Sequence, residues 1–196
     1  MFLDADDMYT PRAVEVLYTY ARLKNYDILR SSFIRENGND VDRIMAADEN
    51  IITWFHGKIY KTSYIRKYNL CFLPELRTDE DAYFNMVAWN TTKNLGMINE
   101  VTYIWRNNKS SITRIDSTRD YYVRTYMNYI GGQVKALHKI FEINEEVLPL
   151  LITNSLLNLY YYYMRARFYK CDETPMNNAL CTLRNERIIQ EWLNEG

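Results

Sequence analysis

The sequence contains few residues of the kinds that form disulfide frameworks or long flexible linkers. It has three cysteines, six glycines and four prolines among 196 residues. Cys71, Cys171 and Cys181 are odd in number and have no paired spacing, which favours reduced thiols in a cytosolic protein over disulfides. The low glycine and proline content argues against long disordered segments.

Neither sign of charge is in excess. Lys and Arg number 24 and Asp and Glu 25, which gives a formal net charge of −1. This balance excludes the basic surface expected of a protein that binds nucleic acid. Hydrophobic residues make up 47% of the chain, so a folded domain of this length can hide about 70% of its unfolded surface.

One uncharged run, 147–164, reaches the length of a membrane-spanning helix. It contains Pro149, Asn154 and four consecutive tyrosines, Tyr160–Tyr163, which favours a buried or interface helix instead. The acidic residues that follow Leu3 argue against a signal peptide. We therefore expect a cytoplasmic protein whose contact with a membrane, if it has one, is peripheral and on the inner face.

Hydrophobic periodicity divides the chain into a mixed α/β part, 1–117, and a helical part, 118–196. The first part is predicted to contain a strand ending at Leu3, helices at 10–24, 57–68 and 78–90, a strand at 27–35 and an edge strand at 101–105. The second part is predicted to contain helices at 123–141 and 147–168, packed as an antiparallel pair, and a third helix from Pro175.

The acidic turn at residues 4–7 is the strongest local signal. Residues two apart in an extended segment point to the same side, so Asp4 and Asp6 would present their carboxylates together. Two such oxygen groups suit Mg²⁺ or Mn²⁺, which in turn can bind a diphosphate. A solvated turn in which Asp6 or Asp7 satisfies backbone groups explains the same residues, and the sequence leaves both interpretations open.

Two other motifs place acids at this spacing. Phosphatases of the haloacid dehalogenase type continue with Gly and then Thr or Val, whereas Asp7 and Met8 follow here. An EF-hand that starts at Asp4 needs a glycine where Tyr9 stands and an oxygen ligand where Met8 stands. Both motifs therefore fail at a residue that they require.

A second acidic cluster is Thr78-Asp79-Glu80-Asp81. Considered alone, it is a helix start, with Thr78 as the N-cap and an acid three residues later. Acids in a first helical turn also interact favourably with the helix dipole. The cluster therefore needs further sequence context before it indicates a function.

That context is the order of several motifs. Along the chain they are Phe2-Leu3-Asp4-Ala5-Asp6-Asp7, Trp54 with Gly57-Lys58-Ile59-Tyr60-Lys61, Phe72-x-Pro74, Glu80-Asp81-x-x-Phe84, Tyr103-x-Trp105-Arg106 and Ser110-Ser111-Ile112. This succession resembles bacterial family 2 glycosyltransferases over roughly residues 1–114. The resemblance implies a GT-A, Rossmann-like α/β domain followed by a helical region at 118–196.

The resemblance also implies roles for individual residues. Asp4 and Asp6 match the metal and sugar-nucleotide motif, and Asp81, with Glu80 beside it, matches the catalytic base of an inverting enzyme. The implied reaction is transfer of a sugar from a nucleotide-diphosphate sugar to a saccharide or lipid-linked acceptor in cell-surface polysaccharide synthesis. The implied cofactor is Mn²⁺ or Mg²⁺.

Five further residues are weaker candidates for substrate binding, and each has a plain structural alternative. Trp54 suits either stacking on an acceptor sugar or packing in the core. His56 and Lys58 suit either phosphate binding or an ordinary surface position. Arg114 is a candidate for holding the diphosphate, and Asp7 belongs to the acidic turn itself.

A GT-A domain places about 80 to 100 residues of nucleotide-binding βαβ structure before this turn. The resemblance therefore implies only the C-terminal part of such a domain. We expect weak donor binding by these residues alone, and self-association through an unpaired sheet edge. The alternative function is a non-catalytic interaction module or a degenerate glycosyltransferase-like protein. Its helical tail would bind a partner or a membrane surface through its tyrosines and the nearby Arg165, Arg167 and Lys170.

Overall fold

The computed structural model has a mixed α/β fold. It describes residues 1–38, 41–47, 53–108, 111, 118–143 and 149–195. Its elements are β1 (Met8–Tyr9), α1 (Ala13–Lys24), β2 (Ile28–Arg35), β3 (Arg43–Met45), β4 (Lys58–Tyr60), α2 (Thr62–Lys67), α3 (Glu80–Asn90), β5 (Leu95–Trp105), α4 (Thr118–Ile143), α5 (Pro149–Phe168), α6 (Thr174–Arg184) and α7 (Arg187–Glu195). The predicted α/β class is confirmed.

The chain forms two compact units. The first contains Met1–Cys71 and Ala88–Ser111, and the second contains Phe72–Val87 and Ile112–Gly196. The start of α3 thus belongs to the same unit as the helices from α4 onwards. The boundary at residue 117, which rests on sequence pattern, stays a prediction about domains.

The first unit is built on a five-stranded sheet in which β2 and β5 are the central pair. These two strands run parallel, β1 pairs antiparallel with β5, and β3 and β4 pair antiparallel with opposite halves of β2. The register between β2 and β5 shifts at Ser31–Phe33. Because Ile28–Phe33 are all buried, β2 has the continuous burial of a strand covered on both faces.

Helix α1 packs on β2 and β5. Its inward residues Ala13 and Leu17 are 1% and 0% exposed. The helix ends at Asn25, which adopts a left-handed conformation with φ of 54°, as is common for Asn after a helix. The predicted helix at 10–24 and strand at 27–35 are confirmed.

Three sequence-based assignments in this unit are wrong. Residues 1–3 do not form a strand, since the first strand follows the acidic turn. The segment 57–68 is not one helix: its first residues pair with β2 as β4, and only Thr62–Lys67 is helical. The predicted edge strand at 101–105 is the second half of β5, which is paired on both sides.

The second unit joins its helices through stacked tyrosines. Tyr162 of α5 stacks on Tyr122 and Tyr129 of α4, with ring centroids 5.6 and 3.7 Å apart. The Arg165 guanidinium lies 4.7 Å from the Tyr122 ring, a distance at which cation–π attraction contributes. Part of the tyrosine excess in the sequence is therefore helix packing. The single helix predicted from Pro175 is instead two helices. Helix α6 ends at Arg184 and α7 begins at Arg187.

Helix α5 is apolar on two opposite faces. Ile152, Leu159 and Ala166 are buried, whereas Leu157 and Phe168 are 60% and 79% exposed. Hydrophobic periodicity at three and four residues favours the stripe that includes Leu157 and Phe168 as the inward face, but the structure exposes that stripe. No helix in the described part of the chain is both long and apolar enough to cross a membrane.

Candidate functional site

The acidic turn lies immediately before β1 and is closed by a backbone hydrogen bond. The Asp7 N–H donates to the Asp4 carbonyl at 3.1 Å. Asp4 and Asp6 are exposed, whereas Asp7 is 8% exposed. The turn therefore presents two carboxylates to solvent and directs the third into the first unit.

Asp7 attaches this turn to the end of β5. The Tyr103 hydroxyl donates to Asp7 Oδ2 at 2.6 Å, and the Arg106 N–H donates to Asp7 Oδ1 at 2.9 Å. Burial raises the pKa of Asp7, and the nearby Asp4 charge adds to this, while the two hydrogen bonds and His56 oppose it. Asp7 is therefore an anchoring carboxylate with both oxygens engaged, and not a solvated turn residue.

His56 faces the same carboxylates from the turn before β4. Its Nε2 lies 3.9 Å from Asp4 Oδ2 and 3.8 Å from Asp7 Oδ2, too far for direct hydrogen bonds. Its position depends on Gly57, which has φ of 64°, and a Cβ on Gly57 would lie 2.9 Å from the Ser31 carbonyl oxygen.

Aromatic rings surround the His56 imidazole. It stacks on Tyr103 at 4.8 Å and lies 5.0 to 5.5 Å from Phe33, Trp54 and Trp105. Its Nδ1 is buried and has no hydrogen-bond partner among the described residues. His56 is 7% exposed and lies between two acids and four rings. The surface position considered for it from the sequence is therefore wrong.

One ligand atom each from Asp4, Asp7 and His56 lie within 4.8 Å of one another. The carboxylates fit a divalent cation, because each carboxylate oxygen retains acceptor capacity beyond one hydrogen bond. His56 fits less well. Binding through Nε2 would put a proton on Nδ1, and metal-bound histidines almost always donate that proton to an acceptor.

Asp6 and Trp54, which were also predicted to belong to the site, are not part of the Asp4, Asp7 and His56 cluster. Asp6 accepts a hydrogen bond from Asn108 Nδ2 at 2.8 Å, and its predicted role as a metal ligand stays a prediction. Trp54 is half-buried and lies 5.1 Å from Trp105 and 6.2 Å from Phe33. These contacts favour the packing alternative for Trp54.

Lys58, a second predicted phosphate-binding residue, is buried in the sheet. Lys58 is 1% exposed and sits opposite Arg30 in the β2–β4 pair, with its Nζ 5.6 Å from the Trp89 ring. The surface position considered for Lys58 is therefore wrong. Arg114 lies outside the described residues.

In the second unit, Glu80 and Asp81 are the first two residues of α3 and are half-buried. Asp81 Oδ1 accepts a hydrogen bond from the Ala82 N–H at 2.7 Å, and its carbonyl accepts one from Asn85 Nδ2 at 2.9 Å. The assignment of Asp81 as the base, with Glu80 beside it, stays a prediction.

Sequence reasoning assigned no role to Asp79. This residue has φ of 62°, and burial raises the pKa of its carboxyl to about 6, assisted by the Glu80 charge and opposed by a Thr78 hydrogen bond. Its carbonyl accepts the first hydrogen bond of α3, from the Tyr83 N–H at 3.1 Å. The available signal was an extra acid before the helix, of a type that tolerates left-handed conformations.

Comparisons with known proteins identify a related chain and a related fold. No family model matches the sequence. An uncharacterized glycosyltransferase, EpsJ of Bacillus subtilis (strain 168), is 24% identical over 134 residues, which cover 58% of this chain and 39% of EpsJ. The predicted resemblance to a glycosyltransferase is confirmed.

The fold is similar to that of S. aureus TarS, residues 1–349, in a crystal structure with UDP-GlcNAc. The TM-score is 0.51 at 18% identity, and the match covers 71% of this chain and 44% of TarS 1–349. This chain thus spans about two fifths of the length of EpsJ and of that TarS structure.

Proposed function

We propose that the protein containing this chain transfers a sugar from a nucleotide-diphosphate sugar to a saccharide or lipid-linked acceptor. The observation that carries the proposal is the convergence of Asp4 and Asp7 beside His56, in a chain similar to a glycosyltransferase. The complex of TarS with UDP-GlcNAc supports a sugar nucleotide as the donor. A role in cell-surface polysaccharide synthesis is part of the same proposal.

The chemistry assigned to this chain begins with the acceptor. Asp81 takes the proton from the acceptor hydroxyl as its oxygen bonds to the anomeric carbon. The bond from that carbon to the phosphate oxygen breaks, and the nucleoside diphosphate leaves with the electron pair. Attack and departure on opposite faces invert the anomeric configuration. Glu80 adjoins the base and helps to place the acceptor.

Mn²⁺ or Mg²⁺ is proposed at the acidic turn, where the bound cation would neutralise charge on the departing diphosphate. Asp4 belongs both to the pair predicted from the sequence, Asp4 with Asp6, and to the cluster found in the structure, Asp4 with Asp7 and His56. Asp4 is therefore assigned as the principal ligand. Asp7 anchors the turn that carries it.

A calorimetric titration with Mn²⁺ tests the metal assignment. Asp4→Asn should weaken binding at least tenfold, and His56→Gln should change it less than threefold, because His56 fits the cation less well than the carboxylates do. Asp42→Asn, which changes an exposed acid elsewhere in the first unit, is the matched control. Unchanged binding by Asp4→Asn would contradict the assignment.

Transfer itself is tested in the complete protein in which this sequence occurs. Asp81→Asn should reduce kcat by a factor of about 100 or more, as expected for loss of a general base, while leaving donor affinity unchanged. Glu80→Gln should have a smaller effect. Full turnover by Asp81→Asn would remove Asp81 from the mechanism.

The exposed face of α5 supports the second candidate function, attachment to a membrane surface or to another protein chain. It presents large apolar and aromatic side chains to solvent: Leu157, Tyr160, Tyr161, Met164 and Phe168. Amphipathic faces with aromatic residues and nearby arginines can bind membrane interfaces. Flotation with anionic vesicles tests attachment of this face to a membrane, and failure to float would contradict it. Sedimentation across concentrations separately tests the self-association proposed for an unpaired sheet edge.

A further inference from the structure

The residue before α3 is held in an unfavourable state. Asp79 has φ of 62°, a left-handed conformation that Asp tolerates better than most residues but that is still uncommon. Its carboxyl is also half-buried, and a charged partner or hydrogen bonds are needed to offset the lost contact with water. Such states persist only where surrounding contacts impose them.

The contacts come from the helices of the same unit. Thr78 hydrogen-bonds the Asp79 carboxyl and accepts a hydrogen bond from Asn128 Nδ2 of α4 at 3.2 Å. The rings of Tyr129 and Tyr162, from α4 and α5, stack at 3.7 Å. After burial, the Asp79 charge is among the causes that raise the pKa of both tyrosines.

Asp79 therefore connects the first turn of α3 to α4 through Thr78. Its carbonyl accepts from the Tyr83 N–H, while its carboxyl bonds Thr78, which Asn128 of α4 also bonds. The next two residues are Glu80 and Asp81. A change in the backbone at Asp79 would redirect both of their carboxylates.

We propose that Asp79 is a positioning residue, whose left-handed backbone and anchored carboxyl fix the direction of Glu80 and Asp81 at the start of α3. The inference rests on the proposed function, in which Asp81 accepts the proton. Asp79 itself touches neither the acceptor nor the donor in this role. It acts through the two residues that follow it.

Three substitutions in the complete protein separate the backbone from the side chain. Asp79→Asn keeps the tolerance for positive φ and a group that Thr78 can bond, so kcat should stay within about threefold of the unsubstituted protein. Asp79→Gly keeps only the backbone freedom, and Asp79→Ala keeps neither. Their kcat values should fall progressively, by about 10-fold to 100-fold, because small misplacements of a catalytic group have effects of that size.

The KM values for donor and acceptor should change less than threefold in all three variants, and Asp79→Asn should rescue most of the activity. A general loss of folding would instead lower the melting temperature and the active fraction together, so each variant is also measured by thermal unfolding. Asp79→Gly with unchanged kcat would overturn the inference, as would losses that follow unfolding alone.

Asp81→Asn measured in parallel separates this inference from the proposed function. If the unsubstituted protein transfers sugar and Asp81→Asn does not, normal kcat in the Asp79 variants refutes only the positioning role. If Asp81→Asn is fully active, the assignment of the base is wrong, whatever the Asp79 variants do.

Discussion

Replacing Asp79 with asparagine should stabilise the protein at neutral pH. Burial raises the pKa of Asp79 from an ordinary value of 3.8 to about 6, and one pKa unit corresponds to about 1.36 kcal/mol. This rise in pKa corresponds to a loss of folding stability at neutral pH of about 3 kcal/mol for a fully desolvated carboxylate. Because the side chain is only half-buried, we expect a gain of about 1–2 kcal/mol from Asp79→Asn after solvent screening.

The pH dependence follows from the direction of the change. A carboxyl whose folded pKa exceeds its unfolded pKa binds its proton more tightly in the folded protein. Its contribution to stability is full below about pH 4 and is lost as the pH rises through about 6. The difference between Asp79→Asn and the unsubstituted protein should therefore be small at pH 4 and reach its maximum near pH 7.

Urea unfolding at pH 4, 5, 6 and 7 measures this difference directly, and at pH 7 the melting temperature should rise by about 2–8 °C. Asp172→Asn is the opposite control. The exposed Asp172 carboxylate accepts hydrogen bonds from the Thr174 N–H and Oγ1 at 3.0 and 2.8 Å, which lower its pKa. That substitution should destabilise at pH 7 and lose its effect as the pH falls. A destabilised Asp79→Asn, or a gain independent of pH, would refute the reasoning.

Three other predictions, two of them with a control variant, test local geometry by thermal unfolding. Gly57→Ala should lower the free energy of unfolding by more than about 1–2 kcal/mol, because φ is 64° and the new Cβ meets the Ser31 carbonyl. Gly131→Ala, in open space within α4, should raise it by about 0.5–1 kcal/mol. Equal effects of the two substitutions would contradict the assigned geometry. Tyr103→Phe should cost about 1–3 kcal/mol by removing a donor from buried Asp7. It should also raise the pKa of Asp7 further, so its cost should be larger at pH 7 than at pH 4, and carboxyl NMR titration follows the pKa. Leu159→Ala should cost about 2–5 kcal/mol, and the exposed Leu157→Ala less than about 1 kcal/mol; the reverse order would mean that α5 packs by its other face.

Local signals in the sequence were sufficient for several elements of the first unit. The helix at 10–24 has an apolar stripe, and the strand at 27–35 contains the apolar residues Ile28, Leu29, Phe33 and Ile34, although its burial is not evident from its two Arg and two Ser residues. The segment 57–68 failed because only long-range pairing distinguishes its first residues from a helix: Lys58–Tyr60 are extended because β2 provides partners for them. The central place of β5 likewise depends on β1 and β2, which are distant in sequence.

The orientation of α5 shows a different limit. Hydrophobic periodicity identifies an inward face only where the opposite face is polar. Here Leu157 and Leu159 differ by two positions and lie on opposite sides of the helix, one exposed and one buried. The tyrosines add apolar surface all round, so the pattern alone could not select the face that packs against α4.

The acidic turn was recognised from the sequence, but the pair predicted there was Asp4 with Asp6, whereas the cluster in the structure is Asp4 with Asp7 and His56. Asp4 and Asp7 are neighbours in sequence, but His56 joins them only through the pairing of β4 with β2 and the left-handed turn at Gly57. The second acidic segment, 78–81, was recognised from the sequence as the start of a helix. The left-handed conformation of Asp79 is accompanied by a link through Thr78 to Asn128 of α4, which no local pattern contains.

Both of these segments contain departures from ordinary folding rules. Asp7 and Asp79 both have a pKa raised by burial, so ionising either one at neutral pH costs stability. Asp79 adds a left-handed backbone, and His56 adds a buried nitrogen without a partner among the described residues. Residues selected only for stability tend to agree with local preferences, and the exceptions gather at functional sites. The acidic turn and the start of α3 are therefore the positions where activity should be sought first.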